Sequence, residues 1–336
     1  MDQRLEGLAA WAKGAMLNQD QTITAEDFVP VSDDASFRRY FRCSKIAKPM
    51  IFMDAPPAQE SIVDFVAIAR MLANNGLRVP DILAIEEGLG FLALGDLGDT
   101  QLLSRVSAAS KDVEYWLTRA MTPLTRLASL RFDVPQYSRE KLQSELSLFA
   151  DWYLDRYQGI ARSESFDPMW TTVCETLIDS ALSQPQVFVH RDYHSRNLMV
   201  LPGDEVGLLD FQDAVMGPVS YDLVSLLKDC YVEYDEALVS VLIGRHYEAL
   251  VDADLPGMTG KAAFVRAFEL MGLQRHLKCA GIFARLALRD GKTRYLEDVP
   301  RVLNYILRAV KKYPEFQAFE AWLLEQLPSR AWSRSA

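Results

Sequence analysis

Three short apolar runs, VFVH, NLMVL and VGLLDF, lie close together between residues 187 and 211. Runs of this length, bounded by polar residues, predict buried β-strands. The second and third predict a hairpin, which would bring the side chains at its two outer ends together. The stretch HRDYHSRN joins the first run to this hairpin. The chain must therefore fold around a small β region that holds polar side chains at the ends of buried strands.

Periodic patterns divide the chain near residue 98. Before this point, helical spacing marks 2–17 and 60–75, and strands are predicted in SFRRYFRC, PMIFMDA and the hairpin DILAIEEGLGFLAL, which turns at 86–88. After it, helices are predicted at about 110–130, 139–157, 167–183, 219–231, 236–251, 260–290 and 298–327. We predict an α+β chain with a small N-lobe at 1–97 and a mostly helical C-lobe at 98–336.

Composition narrows the class of protein. A length of 336 residues favours two lobes, and a net charge of −10 opposes the binding of nucleic acid. The four cysteines are far apart, which is typical of reduced thiols in the cytoplasm. The N-terminus lacks the layout of a signal peptide, and no apolar run reaches the roughly 18 residues of a membrane span. We expect a cytoplasmic monomer that binds neither nucleic acid nor membrane.

The loop HRDYHSRN carries the clearest chemistry. Asp192 directly follows an apolar strand, where its carboxylate could accept a proton from a hydroxyl group. The predicted hairpin would bring Asn197 close to Asp210. Amide and carboxylate oxygens suit Mg²⁺, which keeps water and substrate phosphates as its other ligands. The alternative is that each of these polar residues only caps a turn.

A zinc site is a second explanation of the same loop. It would use His190 and His194 with Asp192 or Asp210. The other two histidines of the chain fall in helical segments, and the amide at position 197 is a poor zinc ligand. His190 is better explained as a buried histidine that braces the loop.

The loop also resembles a known family. HRDYHSRN resembles the kinase catalytic loop H-R-D-x-x-x-x-N, and LLDFQDA resembles the metal-binding DFG segment. Together with GPVSYDLVSLL, these segments are most similar to the aminoglycoside and choline phosphotransferase branch. The resemblance implies a two-lobed, protein-kinase-like fold, with a nucleotide-binding N-lobe at 1–97 and a C-lobe at 98–336 that carries the catalytic loop and the substrate site.

The resemblance also implies roles for individual residues. Asp192 would be the base or hydroxyl-orienting group, with Asn197 and Asp210 as Mg²⁺ ligands and ATP as the phosphoryl donor. Asp222 matches a carboxylate that supports the catalytic loop from the following helix, and His190 would brace the same loop.

The N-terminal segment departs from the kinase pattern. It has neither the G-x-G-x-x-G loop nor the strand lysine in its usual form. A turn whose backbone amides face phosphate would be formed by Asp33, Ala35, Ser36 and Phe37. Arg38 would supply positive charge, with Arg39 and Arg42 as alternatives. A solvated basic strand edge explains the same arginines.

The segment FLALGDLGD runs from an apolar strand into a turn. By resemblance this is the hinge, where the backbone of Gly95, Asp96 and Leu97 would bind the adenine edge. An ordinary β-turn explains the same letters.

Three further segments narrow the resemblance: SDDASFRRYFR, MDAPP and the region QRHLKCAGIFARLALRDGKTRYLEDVPRVLNYI. They resemble the bacterial anomeric sugar kinases, which phosphorylate N-acetylmuramate and N-acetylglucosamine at C1 during peptidoglycan recycling. The resemblance implies an amino-sugar substrate. Choline or ethanolamine kinases, aminoglycoside kinases and non-catalytic pseudokinases remain alternatives.

Four cations share one face of a helix predicted at about 273–290, namely Arg275, Lys278, Arg285 and Arg289. A pocket lined by them would favour a substrate carboxylate, such as the lactyl group of N-acetylmuramate, whereas a solvated helix face is the simpler explanation. We take Arg275, Arg285, His194 and Arg196 as candidate substrate contacts. A choline site would instead need an aromatic cage, for which Trp116, Trp152, Tyr153 and Trp170 are candidates.

Overall fold

A computed structural model describes residues 2–16, 23–31, 37–45, 50–107 and 110–332. Contacts within it divide the chain into two units. The first unit is Met1–Gln101 with Asn197–Gln212, and the second is Leu102–Arg196 with Asp213–Ala336. The sequence pattern divided the chain near residue 98. The contacts divide it four residues later, between Gln101 and Leu102, and add a discontinuous segment, the hairpin after the loop HRDYHSRN, to the first unit.

The first unit contains an antiparallel five-stranded sheet in the order β1-β2-β3-β5-β4. Its strands are β1 (Phe28–Pro30), β2 (Arg39–Cys43), β3 (Met50–Asp54), β4 (Ile82–Glu86) and β5 (Phe91–Gly95). Inward-facing residues of β1, β2, β3 and β5 pack with helix α1 (Gln3–Met16) into one apolar cluster, which includes Leu8, Phe28, Phe41, Phe52 and Phe91. Burial of these side chains stabilises the sheet by the hydrophobic effect.

Helix α2 (Val63–Asn74) ends just before Gly76, as the sequence predicts. Gly76 adopts the left-handed conformation, with φ at 69°, which terminates a helix. Strands β7 (Leu198–Leu201) and β8 (Glu205–Leu208) form the predicted hairpin. The hairpin is bonded to the first unit because the amides of Val200 and Leu208 donate to the carbonyl oxygens of Thr100 and Arg78.

The second unit is mostly helical. Its helices are α3 (Val113–Ser129), α4 (Arg139–Leu148), α5 (Phe166–Leu182), α6 (Tyr221–Leu227), α7 (Glu236–Asp252), α8 (Lys261–Asp290), α9 (Val299–Lys312) and α10 (Gln317–Gln326). Helix α4 continues without a break into a wider π-helical segment, Phe149–Tyr157.

Helix α8 runs through the second unit and is buried along most of its length. A Cβ atom at Gly281 would lie 2.3 Å from the carbonyl carbon of Leu148, so glycine permits close approach of α8 to the end of α4. A two-stranded sheet of β6 (Gln186–Val189) and β9 (Val215–Pro218) completes the unit.

Two details differ from the sequence prediction. The single helix expected at 298–327 is two helices, because Pro314 begins a short 3₁₀ turn between α9 and α10 and cannot donate the hydrogen bond of a continuous helix. Strands β1 and β9 were not predicted, since each has three or four residues and ends in proline. Within the described residues, the helices are too short or too polar to cross a bilayer.

Candidate active site

The predicted catalytic loop, HRDYHSRN, begins where β6 ends. Asp222, in the first turn of α6, accepts the amide N–H groups of His190 at 2.7 Å and Arg191 at 3.0 Å. Burial raises the pKa of Asp222 to about 7, although the two amide donors act in the opposite direction. The ring Nδ1 of buried His190 accepts the amide of Asp192 at 3.3 Å. The backbone on both sides of position 191 is therefore fixed by buried side chains.

Arg191 holds an unusual conformation, with φ at 74°. A non-glycine residue pays a conformational cost in this region, which the surrounding contacts must offset. Its guanidinium donates to Glu145 Oε1 at 2.6 Å and to the carbonyl oxygen of Asp213 at 3.2 Å. These contacts fix the residue immediately before Asp192.

Glu145 on α4 lies at the centre of a buried polar network. Besides Arg191, its carboxylate pairs with Lys278 at 3.1 Å and accepts hydrogen bonds from the Tyr137 hydroxyl and from Gln274. Despite the opposing effect of burial, Lys278 and Arg191 keep the pKa of Glu145 below its usual value. The network joins the catalytic loop to α4 and α8.

Asp192 is surrounded by positive charge. Burial alone would raise its pKa, but Lys278, with Arg191 and Arg275 nearby, holds the pKa below the ordinary value for aspartate. The side chain is therefore ionised at neutral pH. An ionised carboxylate in this setting can accept a hydrogen bond from a substrate hydroxyl.

The second half of the loop is held by a residue that the sequence did not single out. Asp229, fully buried after α6, accepts the amides of Ser195 and Tyr231 at 2.8 Å each. The Tyr231 ring contacts two residues that the sequence predicts to bind substrate. The Arg196 guanidinium lies 3.7 Å from the ring centroid, and the His194 ring meets it edge-on with the centroids 5.1 Å apart.

Asn197 and Asp210 meet at the open end of the β7–β8 hairpin, as predicted. The Asn197 amide nitrogen lies 3.4 Å from Asp210 Oδ2, and Gln212 donates to Oδ1 of the same carboxylate at 2.7 Å. Asp210 is in the left-handed region at φ 63°. Phe211, next along the chain, is buried and stacks on Phe65 of α2 at 5.0 Å. An amide and a carboxylate this close fit the oxygen preference of Mg²⁺.

The zinc alternative lacks a ligand set. Across the described residues, no three or more histidine, cysteine or acidic side chains form a group that could hold a metal ion. His190 is turned to the amide of Asp192, and His194 packs on Tyr231. The two histidines of the loop therefore have structural contacts of their own.

The structure describes Phe37 and Arg38 of the candidate phosphate-binding residues. Ser36 and the turn residues before it lie outside the described residues, and Phe37 is exposed. Arg38 is ion-paired with Glu60 at 2.6 Å, and Arg39 is ion-paired with Asp54. The solvated-edge explanation therefore does not hold for Arg38, whose side chain is mostly buried and paired.

An ion pair between Arg42 and Asp96 holds the candidate hinge segment in place. Arg42 of β2 binds both carboxylate oxygens of Asp96, at 2.6 and 2.9 Å, and the same carboxylate caps the amide of Gly98 at 2.8 Å. The N–H of Gly95 already donates to the carbonyl oxygen of Asp81 at 2.8 Å. Any adenine contact from this segment would therefore use other backbone groups, including those of Leu97.

The four cations on one face of α8 become more exposed towards the end of the helix. Arg275 and Lys278 are buried, Arg285 is half-buried, and Arg289 is exposed and paired with Asp290. The solvated-face explanation is therefore wrong for the first two. Buried Nε atoms of Arg275 and Arg285 have no hydrogen-bond partner within the described part of the chain. Such atoms are uncommon in folded proteins and are candidates for ligand contacts.

The aromatic residues considered for a choline cage have other contacts. Trp116, Tyr153 and Trp170 are buried in the core of the second unit. The Trp152 ring is covered by the Arg156 guanidinium at 4.1 Å. Their placement gives no support to a quaternary-ammonium site.

Glu145 could have been detected from the sequence. It lies at the helical spacing of Leu142, Leu146 and Phe149, so an acidic residue falls on an otherwise apolar face of α4. No comparable pattern marks Asp229, which lies in the loop after α6.

Comparison with known proteins is consistent with this geometry. A model of the phosphotransferase enzyme family matches residues 27–260. Relatives named N-acetylmuramate/N-acetylglucosamine kinase include one from Pseudomonas aeruginosa, 43% identical over 91% of this chain and 90% of the relative. Another, from Pseudomonas putida, is 42% identical over 94% of each chain.

Solved structures confirm the predicted fold class. An ADP-bound aminoglycoside phosphotransferase matches 91% of this chain and 98% of its own, with a TM-score of 0.59 and 14% identity. An ethanolamine kinase from Plasmodium vivax matches 92% of this chain and 87% of its own, with a TM-score of 0.63 and 10% identity. From its sequence and its fold, the chain belongs to the phosphotransferase enzyme family.

Proposed function

We propose that this chain uses ATP to phosphorylate the C1 hydroxyl of N-acetylmuramate and N-acetylglucosamine, and that it acts in peptidoglycan recycling. Kinase activity follows from membership of the phosphotransferase family. The observation that carries the choice of substrate is similarity to kinases named for these two sugars over about nine tenths of both chains. Because ATP is an intracellular substrate, we also propose a cytoplasmic location.

Asp192 is proposed to orient the sugar hydroxyl for attack on the γ-phosphoryl group. Phosphoryl transfer depends mainly on positioning and charge neutralisation, so an ionised carboxylate at this position is sufficient to align the nucleophile. The cations that lower the pKa of Asp192, above all Lys278, keep the carboxylate in its charged form.

Three acidic residues are proposed to position Asp192 without contacting the substrate. Asp222 fixes the backbone before it, Glu145 fixes Arg191, and Asp229 fixes the amide of Ser195 after it. The loop is bound on both sides, which limits the motion of the catalytic carboxylate.

Asn197 and Asp210 are proposed as the ligands of Mg²⁺. The two side chains are in contact, and each carries an oxygen of the kind this ion prefers. The ion would neutralise phosphate charge when bound. Gln212 holds one carboxylate oxygen of Asp210 and so limits rotation of that side chain.

A substrate panel tests the proposed function. The protein is incubated with Mg²⁺, ATP and one acceptor, either N-acetylmuramate, N-acetylglucosamine, choline, ethanolamine or an aminoglycoside, and release of ADP is measured. We expect release only with the two sugars. ADP release that depends on choline or an aminoglycoside would assign the chain to another activity of the family, and no release with any acceptor would favour a pseudokinase.

Arg275 and Arg285 are proposed to bind the lactyl carboxylate of N-acetylmuramate, because each has a buried Nε atom without a hydrogen-bond partner in the described chain. Replacing the contacting arginine by alanine should raise KM for N-acetylmuramate relative to N-acetylglucosamine by about tenfold or more, the scale of a lost charged hydrogen bond.

Arg289→Ala is the matched control, since Arg289 lies on the same helix, is exposed and pairs with Asp290. It should leave the ratio of the two KM values unchanged. Because the readout is a ratio between two substrates, general damage to the fold cancels. An equal rise of KM for both sugars in Arg275→Ala and in Arg285→Ala would reject carboxylate recognition by these residues.

A further inference from the structure

Two cysteines from distant parts of the chain meet at one buried cation. Nη1 of Arg275 lies 3.4 Å from Sγ of Cys230 and 3.8 Å from Sγ of Cys279. Cys230 is in the loop after α6, and Cys279 is one turn along α8 from Arg275. Cys230 and Cys279 are both free thiols.

The two thiols differ in environment. Cys230 is almost fully buried, and its carbonyl oxygen is fixed by a 2.6 Å hydrogen bond from Arg301. Cys279 is half-buried, and it is the more exposed of the two residues. A hydrogen bond from the Cys230 thiol, with Arg275 and Lys278 nearby, lowers the pKa of Cys279 to about 7. A substantial fraction of Cys279 is then thiolate at neutral pH, the form that reacts with oxidants.

The other two cysteines lack these features. Cys43 is buried in the apolar cluster of the first unit. Cys174 is buried on α5, and burial raises its pKa to about 12. Oxidation should therefore select Cys279, since reactivity follows thiolate character and exposure.

We propose that Cys279 and Cys230 form a peroxide-reactive dithiol site, with Cys279 as the attacking thiolate and Cys230 as the resolving thiol. The Cys279 sulfur attacks one oxygen of hydrogen peroxide, the O–O bond breaks and hydroxide leaves, giving a sulfenic acid. The Cys230 sulfur then attacks that sulfur, the S–OH bond breaks, and the hydroxide leaves as water with the Cys230 proton. One peroxide is reduced to water while two thiols become one disulfide.

Oxidation at this site would also affect the proposed kinase reaction. Arg275 and Lys278, which precede Cys279 on α8 by four residues and one, both contribute positive charge at Asp192. A disulfide replaces the thiolate of Cys279 and the thiol of Cys230 by a neutral S–S bond, so Arg275 loses a negatively charged partner and its guanidinium is held less firmly. Turnover with N-acetylmuramate should fall by about tenfold or more, as for a lost charged hydrogen bond, and a dithiol reductant should restore it.

The experiment treats the full-length protein with hydrogen peroxide at neutral pH and measures intact mass, peptide mass and turnover. We expect the loss of two hydrogen atoms per chain and a peptide that links Cys230 to Cys279. Cys279→Ser should prevent the link. Cys230→Ser should leave a sulfenic acid on Cys279 that dimedone traps. Cys174→Ser, a buried cysteine of the same unit, is the matched control and should form the link normally.

Three outcomes would overturn the proposal: all four thiols remaining reduced under peroxide, all four reacting equally, or Cys279 stopping at the sulfenic acid in the wild-type chain. The mass measurement does not depend on the acceptor of the kinase. Failure of the dithiol proposal is therefore distinguishable from failure of the proposed sugar kinase activity.

Discussion

Replacing Asp192 by asparagine is expected to lower turnover by about 10²- to 10⁴-fold, the usual contribution of a positioned acid–base group. The substitution keeps the size of the side chain but removes the charge that would orient the hydroxyl. Binding of ATP should be retained, because Asp192 is proposed to act on the acceptor. Turnover is measured by ADP release and ATP affinity by calorimetry.

Asp213→Asn is the matched control for this variant. Asp213 is also an aspartate near the loop, but its side chain is exposed and only its carbonyl oxygen contacts Arg191. It should retain turnover close to that of the wild type. Wild-type turnover in Asp192→Asn would contradict the proposed role of Asp192. Loss of ATP binding together with turnover would show that Asp192 acts on the nucleotide instead.

Replacing Asp210 by alanine is expected to weaken binding of Mg·ATP and to lower activity by about 10²-fold or more, because a metal that neutralises phosphate charge contributes several kcal/mol to the transition state. Activity is measured over a range of Mg²⁺ concentrations. The concentration needed for half-maximal activity should rise in the variant.

Asp64→Ala is the control, since Asp64 is an exposed aspartate of the first unit on α2. It should leave the Mg²⁺ dependence unchanged. Lower activity in Asp210→Ala without a change in Mg²⁺ dependence would argue against Asp210 as a ligand. If zinc but not Mg²⁺ restored the activity of the metal-stripped enzyme, the result would favour the zinc site.

Local patterns in the sequence were enough to predict much of the fold. The β7–β8 hairpin and the meeting of Asn197 with Asp210 follow from two apolar runs separated by a short turn. The end of α2 follows from Gly76, which adopts the left-handed conformation typical of a helix end. These features depend on residues that are close in sequence, where propensity and periodicity are informative.

The parts that could not be predicted depend on contacts between distant residues. Arg191 and Glu145 are 46 residues apart, and Gln274 lies 129 residues from the same carboxylate. The sequence marks Arg275 and Lys278 as cations on one helix face, but their burial is decided by the elements packed around α8. Strand β9 likewise exists because β6 is its partner, since four residues ending in proline are a weak strand signal alone.

The product of the reaction tests the central claim most directly. Purified product from ATP and N-acetylglucosamine is assayed for a reducing end and examined by NMR for coupling between phosphorus and the anomeric proton. Phosphorylation at C1 blocks the reducing end and places phosphorus three bonds from that proton, so we predict no reducing end and a resolved coupling. A product that keeps its reducing end and lacks this coupling, such as a 6-phosphate, would contradict the assignment of an anomeric sugar kinase.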